Sequence, residues 1–551
     1  MQHVTGLVRD RTKTEILLTA AEAFPAFERA VLAAESEIWA SFRIFDLRTR
    51  LRSSEARAIG STWFDLVADA LRRGVSINLI ISDFDPVARP SLHRGTWAAV
   101  RQVLAAGEAS GAPERLRVCA AMHPAVTGRL PRAVLWPQVA VSLARTARWL
   151  NARDPVRRIS ALRDMPGLAG LLRIGPDGRV RARPWRLPVL HPATHHQKLA
   201  VFDRQKLYIG GLDLDERRWD TPDHDRPGAE TWQDLQLMVE GPVVREAQTH
   251  LESFLDVTAG RAPPPPQRRL LRTLSRTRGR PWLGFGPEPV TQEILEAHEM
   301  LASRAESLIY LETQFFRDTR LARCLARAGR MRPKLSLILI LPAAPEEVAF
   351  GRAWGIDTRY GEHLQAKCLR ILERAFGPRL FVGGAAQPRR HPRPSHDGPD
   401  AAGPEGKDGP EVFSGADEPA EPMAAERRGH VLGAPLVYIH AKISIFDDTA
   451  AIVSSANLNG RSLRWDTEAG VLLRNPQDAR RLRERVMRHW LPADPDPRYL
   501  DPAQAATMWR LLALRNARRP PEHREGFVVP YDLKAAERLG QAVPGVPEEM
   551  V

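Results

Sequence analysis

Lysine is nearly missing from this chain. Of 80 basic residues only eight are lysines (Lys13, Lys198, Lys206, Lys334, Lys367, Lys407, Lys442 and Lys534), and the other 72 are arginines. Where arginine is the default cation, a lysine at a chemically suggestive position carries extra information. Cysteine is scarcer still. Cys119, Cys324 and Cys368 are odd in number and lack paired metal-ligand spacing, which excludes a disulfide framework or a zinc finger and fits a reducing compartment. No stretch reaches the roughly 18 consecutive apolar residues of a membrane-spanning helix, and one of the most apolar runs, Leu335 to Leu341, is only strand-length. Met1 to Pro25 mixes Arg9, Asp10, Arg11, Lys13 and Glu15 and has no signal-peptide core. The expectation is a cytoplasmic protein whose only membrane contact is peripheral, on the inner face.

What is present is the balance of a globular protein, 43% hydrophobic and 26% charged over 551 residues. That length suits roughly three domains, or two large ones. The net charge of +14 suits nucleic acid, an anionic membrane or a phosphate-bearing substrate without choosing among them.

Two irregular stretches divide the chain. Residues 261–284 hold four consecutive prolines (Pro263 to Pro266) and then Arg-rich sequence, the pattern of an extended linker. Residues 387–433 hold eight prolines and nine acidic residues with few large apolar side chains, the pattern of a disordered insertion. On either side of the linker one plan recurs. Strands are expected at Ile38–Phe45, Val75–Phe84 and Arg115–Met122, separated by helices at Arg57–Arg73 and Thr96–Gly107. The second half repeats this with strands at Leu308–Phe316, Leu335–Leu341 and Arg379–Val382 and helices at Asp318–Arg330 and Asp357–Phe376. The alternation implies α/β domains, each a sheet covered by helices on both faces. The expected units are 1–260, with a helical insertion at about 125–190; the linker; 285–495; and a tail at 496–551.

Both halves then present H-x-K-x4-D: His196, Lys198 and Asp203 in the first, His440, Lys442 and Asp447 in the second, with the histidines 244 residues apart. Each is followed by a strand (Leu207–Leu212; Ala451–Ser455), another strand (Asp234–Glu240; Glu468–Leu473) and a helix (Val243–Asp256; Asp478–Trp490). On a strand, residues i and i+2 face one side, so each His and Lys would project together. An imidazole beside an ammonium suits a phosphate: one does covalent or proton chemistry, the other neutralises oxyanions. The Asp has opposite parity and is assigned to structural pairing. One H-x-K arises often by chance; two at equivalent positions of a duplicated domain, using two of eight lysines, do not.

These motifs resemble those of the phospholipase D superfamily. The likeness extends to Ile209-Gly-Gly-Leu-Asp213, Trp232-Gln-Asp234, Val239-Glu-Gly-Pro-Val243, Tyr310-Leu-Glu-Thr-Gln314, Ser454-Ser-Ala-Asn457, Arg461-Ser462 and Asp466-Thr-Glu468. It covers roughly 35–260 and 285–490. The resemblance implies two tandem α-β-α domains in a pseudo-twofold pair around one central site. It implies His196 as nucleophile and His440 as acid/base, the reverse assignment staying open because the motifs are near-symmetric. Lys198 and Lys442 would hold the phosphoryl oxygens with Asn457 and Ser455, and Gln314 would line the cleft. Asp234 and Glu468 would hydrogen-bond the histidine Nδ1 atoms, and Asp203 and Asp447 would support the motifs. No cofactor or metal is required. The sequence departs from the family in Ser454 for the usual Gly and in Gln233 where larger members carry His. Gly211 and Asp213 also stand where the second half has Ser455 and Asn457.

Other readings compete at single positions. His191, His195 and His196 could ligate a metal, but Pro192 interrupts them and a core role for His195 is favoured. Asp213, Asp215, Asp220, Asp223 and Asp225 could receive calcium or a cationic headgroup; a solvated loop is favoured. Glu312 and Gln314 share a strand face and are placed in the cleft. Trp136, Trp149 and Trp185 beside Arg145, Arg148, Arg153, Arg157, Arg158 and Arg163 suit an anionic membrane interface, with a helical lid the equal alternative. The expected function is a phospholipase D-type phosphodiesterase hydrolysing or transferring the phosphatidyl group of a phospholipid through a phosphohistidine. Cardiolipin synthase-type transfer comes second, then a nuclease, then a non-catalytic lipid-binding scaffold. Nucleic acid is disfavoured as a partner, and a monomer is expected.

Overall fold

Apolar, β-branched runs separated by helix-length segments build two sheets of one design. The computed structural model describes residues 12–183, 187–278, 282–343, 356–389 and 429–551. Along the first half run β1 (Lys13–Leu18), β2 (Glu37–Phe42), β3 (Ser76–Asp83), β4 (Leu116–Met122), a small hairpin of β5 (Leu172–Ile174) and β6 (Val180–Ala182), then β7 (Leu199–Phe202), β8 (Lys206–Gly210) and β9 (Leu235–Glu240). The second half holds β10 (Leu270–Arg276), β11 (Glu288–Gln292), β12 (Leu308–Glu312), β13 (Ser336–Ile340), β14 (Leu380–Ala386), β15 (His430–Val431), β16 (Ala434–Val437), β17 (Ile443–Phe446), β18 (Ala450–Ser454), β19 (Glu468–Leu473) and β20 (Val528–Pro530).

The first sheet has the order β1-β9-β8-β7-β2-β3-β4. The second repeats it strand for strand as β10-β19-β18-β17-β12-β13-β14, then adds β11 at one edge and β16, β15 and β20 near the other. In each, three parallel strands join an antiparallel set: β2, β3 and β4 against β7, and β12, β13 and β14 against β17. The inner faces share one core, with Leu199, Val201, Leu207 and Ile209 on one side and Ile443, Ile445, Ala451 and Val453 on the other. Helices Val243–Thr258 and Pro476–Trp490 join that core, while separate clusters cover the two outer faces. Each sheet is thus covered by helices on both faces. Every fully buried Leu or Ile is worth about 1.5–3 kcal/mol, so the shared core ties the halves firmly together.

Two boundaries differ from expectation. The stretch read as linker contains β10, the counterpart of β1; its apolar pattern is broken by Arg272, which is buried and paired with Glu293 at 2.7 Å. The stretch read as a tail packs on the second sheet, with Trp509 and Leu512 buried and β20 paired to β14. Residues 390–428 of the insertion expected to be disordered lie outside the described residues, as do the first eleven residues. Among the described residues, no helix is long and apolar enough to cross a membrane.

Candidate active site

The two motif segments are extended but stop short of the strands. His196 to Lys198 immediately precede β7, and His440 to Lys442 immediately precede β17, so the expected placement inside a strand is corrected to its entrance. What holds them extended is the other half. His195 bridges Thr467, and the His196 N–H donates to the Thr467 carbonyl at 2.9 Å. Reciprocally, Ile439 bridges Gln233, and the His440 N–H donates to the Gln233 carbonyl at 2.8 Å. This exchange is the signature of a pseudo-twofold axis between the motifs.

The side chains cross in the same way. His196 Nδ1 lies 2.9 Å from Glu468 Oε1, and His440 Nδ1 lies 2.6 Å from Asp234 Oδ2. Each histidine is therefore oriented by the carboxylate of the opposite half. With Nδ1–H directed at a carboxylate, Nε2 keeps a lone pair for attack or proton transfer. Each lysine donates to its own histidine's carbonyl, Lys198 Nζ at 2.6 Å and Lys442 Nζ likewise. The four groups converge: burial, and then the charge of its own lysine, holds each imidazole well below the usual histidine value, and each also feels the lysine of the other half. Burial pushes the Glu468 carboxyl up to about 7, raises that of Asp234 and lowers both lysines. Cations packed without full solvation favour an anion between them.

The remaining expected residues separate into two groups. Asn457 is buried and donates to Gln314 Oε1 at 3.4 Å, and Gln314 in turn donates to the Tyr438 hydroxyl at 2.9 Å. Ser455, read above as a phosphate donor, spends its one proton on Glu468 Oε2 and accepts from the Ala469 N–H at 3.1 Å. Its counterpart is Gly211, where a Cβ would meet Asp234 Oδ1 at 2.2 Å. Asp203 and Asp447 lie at the far ends of β7 and β17, away from the histidines. Asp203 accepts from the N–H groups of Glu35, Ser36 and Glu37, and Asp447 from those of Glu306, Ser307 and Leu308, each also taking a serine hydroxyl at 2.7 Å. Both adopt positive φ, 49° and 52°, which Asp tolerates better than most residues.

Those matched clamps register β2 on β12, making Ser41 equivalent to Glu312 and Arg43 to Gln314. Glu312 does not line the cleft with Gln314. Strand β12 ends at Glu312, so the two-residue parity lapses, and the carboxyl turns into the core to accept from Tyr310 Oη at 2.9 Å and Trp490 Nε1 at 3.2 Å. The histidines of His191-x3-His195-His196 also part company: His191 faces the His123 carbonyl, His195 the Thr467 hydroxyl and His196 Glu468. The five aspartates of the following loop disperse likewise. Asp213 accepts from the Ile44 N–H, Asp215 from that of Arg217 and Asp220 from that of Trp232 and from His224, while Asp225 pairs with Arg389 and Asp223 is exposed. Among the described residues, no group of three or more His, Cys, Asp or Glu is arranged to hold a metal.

Two site residues escaped the sequence. Arg43 lies 3.9 Å from Asp213 Oδ2, the same distance as Lys198, and its charge acts on His196. Arg218 is buried with its guanidinium 3.6 Å above the Trp232 ring, whose centroid is 4.6 Å from that of His440. Among the described residues its Nε and Nη1 have no hydrogen-bond acceptor, and its charge acts on His440. Among 72 arginines neither had any contrast; superposing the two halves on Asp203 and Asp447 would have exposed Arg43.

Comparison with known proteins finds distant relatives. The family model described as "Cardiolipin synthase, PLD-like domain" matches residues 421–490. Phospholipase D1 of Schizosaccharomyces pombe is 25% identical over 366 residues, 51% of this chain and 25% of that protein. Phospholipase D zeta 1 of Arabidopsis thaliana is 28% identical over 215 residues, 35% of this chain and 17% of that protein. The matched stretches thus span a quarter or less of these curated relatives. Among solved structures, phosphatidylserine synthase of Haemophilus influenzae Rd KW20 aligns at TM-score 0.44 and 12% identity, covering 86% of this chain and 85% of that one. The polyphosphate kinase of Porphyromonas gingivalis aligns at 0.39 and 10%, covering 86% and 49%.

Proposed function

We propose that this chain, a member of the phospholipase D superfamily, is a phosphodiesterase that cleaves or transfers the phosphatidyl group of a glycerophospholipid through a phosphohistidine. The observation that carries the reading is the crossed pair of dyads, His196–Glu468 and His440–Asp234, with Lys198 and Lys442 beside them. In the first step Nε2 of His196 attacks phosphorus and the P–O bond to the headgroup alcohol breaks; His440, protonated on Nε2 once the anionic diester is bound beside it, passes that proton to the departing oxygen. In the second, His440 takes a proton from water or an acceptor alcohol, the new O–P bond forms and the N–P bond breaks. Lys198 and Lys442 neutralise the non-bridging oxygens, with Asn457 as a neutral donor. The direction rests on exposure: the His196 side chain is 13% accessible and that of His440 is 4%, enclosed by Trp232 and Arg218.

The matching family model favours a second reading, in which the acceptor is the glycerol hydroxyl of another lipid. The test is to incubate the protein with phospholipid and a primary alcohol, with and without phosphatidylglycerol, and to look for phosphatidyl-alcohol or cardiolipin. His196→Ala and His440→Ala should each lose at least about 10³-fold. Trapping with ³²P-labelled diester should leave a phosphoenzyme in His440→Ala and none in His196→Ala. Product that persists in both variants would remove the two-histidine mechanism.

A further inference from the structure

We infer that the outer face of residues 129–163, with Trp282 and Leu283, is a docking surface for an anionic lipid bilayer. The proposal rests on the lipid-substrate reading for its purpose, not for its observations. The first observation is where the charge lies. Residues 125–190 contain thirteen arginines against three aspartates, with no lysine or glutamate, a net +10 in a chain whose total is +14. The excess positive charge belongs largely to this one insertion.

The second is a helix apolar on two opposite faces. In Arg129–Asn151 the inner face sends Val139, Leu143, Ala147 and Leu150 into a satellite core with Val87, Leu168, Leu171 and Val180. On the outer face Leu130, Val134, Pro137, Val141 and Ala144 recur every three or four residues, a single stripe, and all are exposed, Val134 at 72%. Arg148 closes the stripe. Beside its start, the Leu130 N–H donates to the Trp282 carbonyl at 3.1 Å and the Gly128 N–H to that of Gly284 at 2.7 Å. These bonds pin Trp282 and Leu283, both more than two-thirds exposed, next to Leu130, with Arg129 5.0 Å from the Trp282 ring. The neighbouring helix Pro155–Arg163 adds exposed Val156 and Ile159. An exposed apolar stripe that starts beside Trp282 and Leu283, carried on a segment of thirteen arginines, suits the boundary between acyl chains and anionic headgroups.

The third is position. Strands β2, β3 and β4 are parallel, and Ser41 near the end of β2 pairs with Leu199 at the start of β7. Their C-terminal ends therefore share the sheet edge where His196 and Lys198 stand. The insertion leaves from that end of β4, and the returning chain is tied back by His191 to the His123 carbonyl at 3.0 Å, five residues before His196. A bilayer seated on the stripe lies at the edge of the sheet that carries the reaction.

The test is co-sedimentation of the full chain with phosphatidylcholine vesicles, without and with about 30 mol% phosphatidylglycerol. Wild type should favour the anionic vesicles and lose that preference in high salt. The double variant Val134→Asp/Val141→Asp should bind them at least about tenfold more weakly, and Arg148→Glu/Arg163→Glu should lose the anionic preference. Both should match wild type in thermal unfolding and in cleavage of a short-chain phosphodiester. Equal wild-type binding to both vesicles, undiminished binding by the first variant, or burial of the stripe in a dimer seen by light scattering would each overturn the proposal. A wild type that binds anionic vesicles through the stripe yet cleaves no phosphodiester would uphold the surface and sink the catalytic reading instead.

Discussion

At equivalent places around the cleft the first half sets Arg43, Gly211 and Asp213, and the second sets Gln314, Ser455 and Asn457. In the first, two cations share one carboxylate: Arg43 and Lys198 both stand 3.9 Å from Asp213 Oδ2. In the second, the corresponding positions are amides that hydrogen-bond each other and Tyr438. A phosphate oxygen approaching the second half meets neutral donors and an ammonium; on the first it meets an ammonium already partly neutralised. Three pairs of side chains thereby make the two sides of a twofold scaffold chemically unequal.

Removing the crossed carboxylates breaks that comparison hardest. Glu468→Gln and Asp234→Asn should each lower turnover by about 10²–10⁴-fold, because the opposite histidine loses its tautomer and its stabilised cation. The two should differ in kind. On the proposed direction, a p-nitrophenyl ester, whose leaving group needs no proton, should largely rescue Asp234→Asn, beside the proposed acid, and not Glu468→Gln, beside the proposed nucleophile. Equal rescue measured in single-turnover assays would mean that the site has no fixed direction.

Making the halves alike sharpens the contrast. Asn457→Asp should cost about 10²-fold in kcat/KM, since it replaces a donor with a like charge facing the phosphate. Asp213→Asn should cost less than about tenfold, and steady-state kinetics with one diester substrate decide between them. The smallest effect lies beneath the cleft, where Ser41 of the first half is the counterpart of Glu312 in the second. Burial raises the Glu312 carboxyl from 4.5 to about 7. A folded-state value above the unfolded one favours folding while the group is protonated, and this advantage is lost as pH rises from about 4.5 through about 7. Wild type should therefore lose about 3 kcal/mol against Glu312→Gln across that window, while Ser41→Ala tracks wild type at every pH. Parallel denaturant titrations at pH 4.5 and pH 7.5 supply the check.

What could be read from the sequence depended on contrast. Two of eight lysines in matched H-x-K pairs stood out against 72 arginines; Arg43 and Arg218, chemically as near the cleft, did not. The strands themselves were legible where apolar runs were clean, as in Leu335–Leu341. The pattern was hidden in β10, where buried Arg272 interrupts it and pairs with Glu293, 21 residues along the chain and beyond the reach of any local rule. The opposite-parity argument for Asp203 and Asp447 identified residues that act on backbone amides rather than on substrate. Asp234 and Glu468 were expected beside the histidines, but not which carboxylate meets which histidine, because spacing along one chain carries no information about exchange across an axis.

That exchange makes the site a lock with its key divided. Neither half owns a working dyad: each contributes a histidine for which it has no acid, and an acid for which it has no histidine. Reactivity is therefore withheld from any folding intermediate in which one half has formed and the other has not. A duplicated architecture so wired resists being pared back to a single copy, because the loss of either half disarms the one that remains.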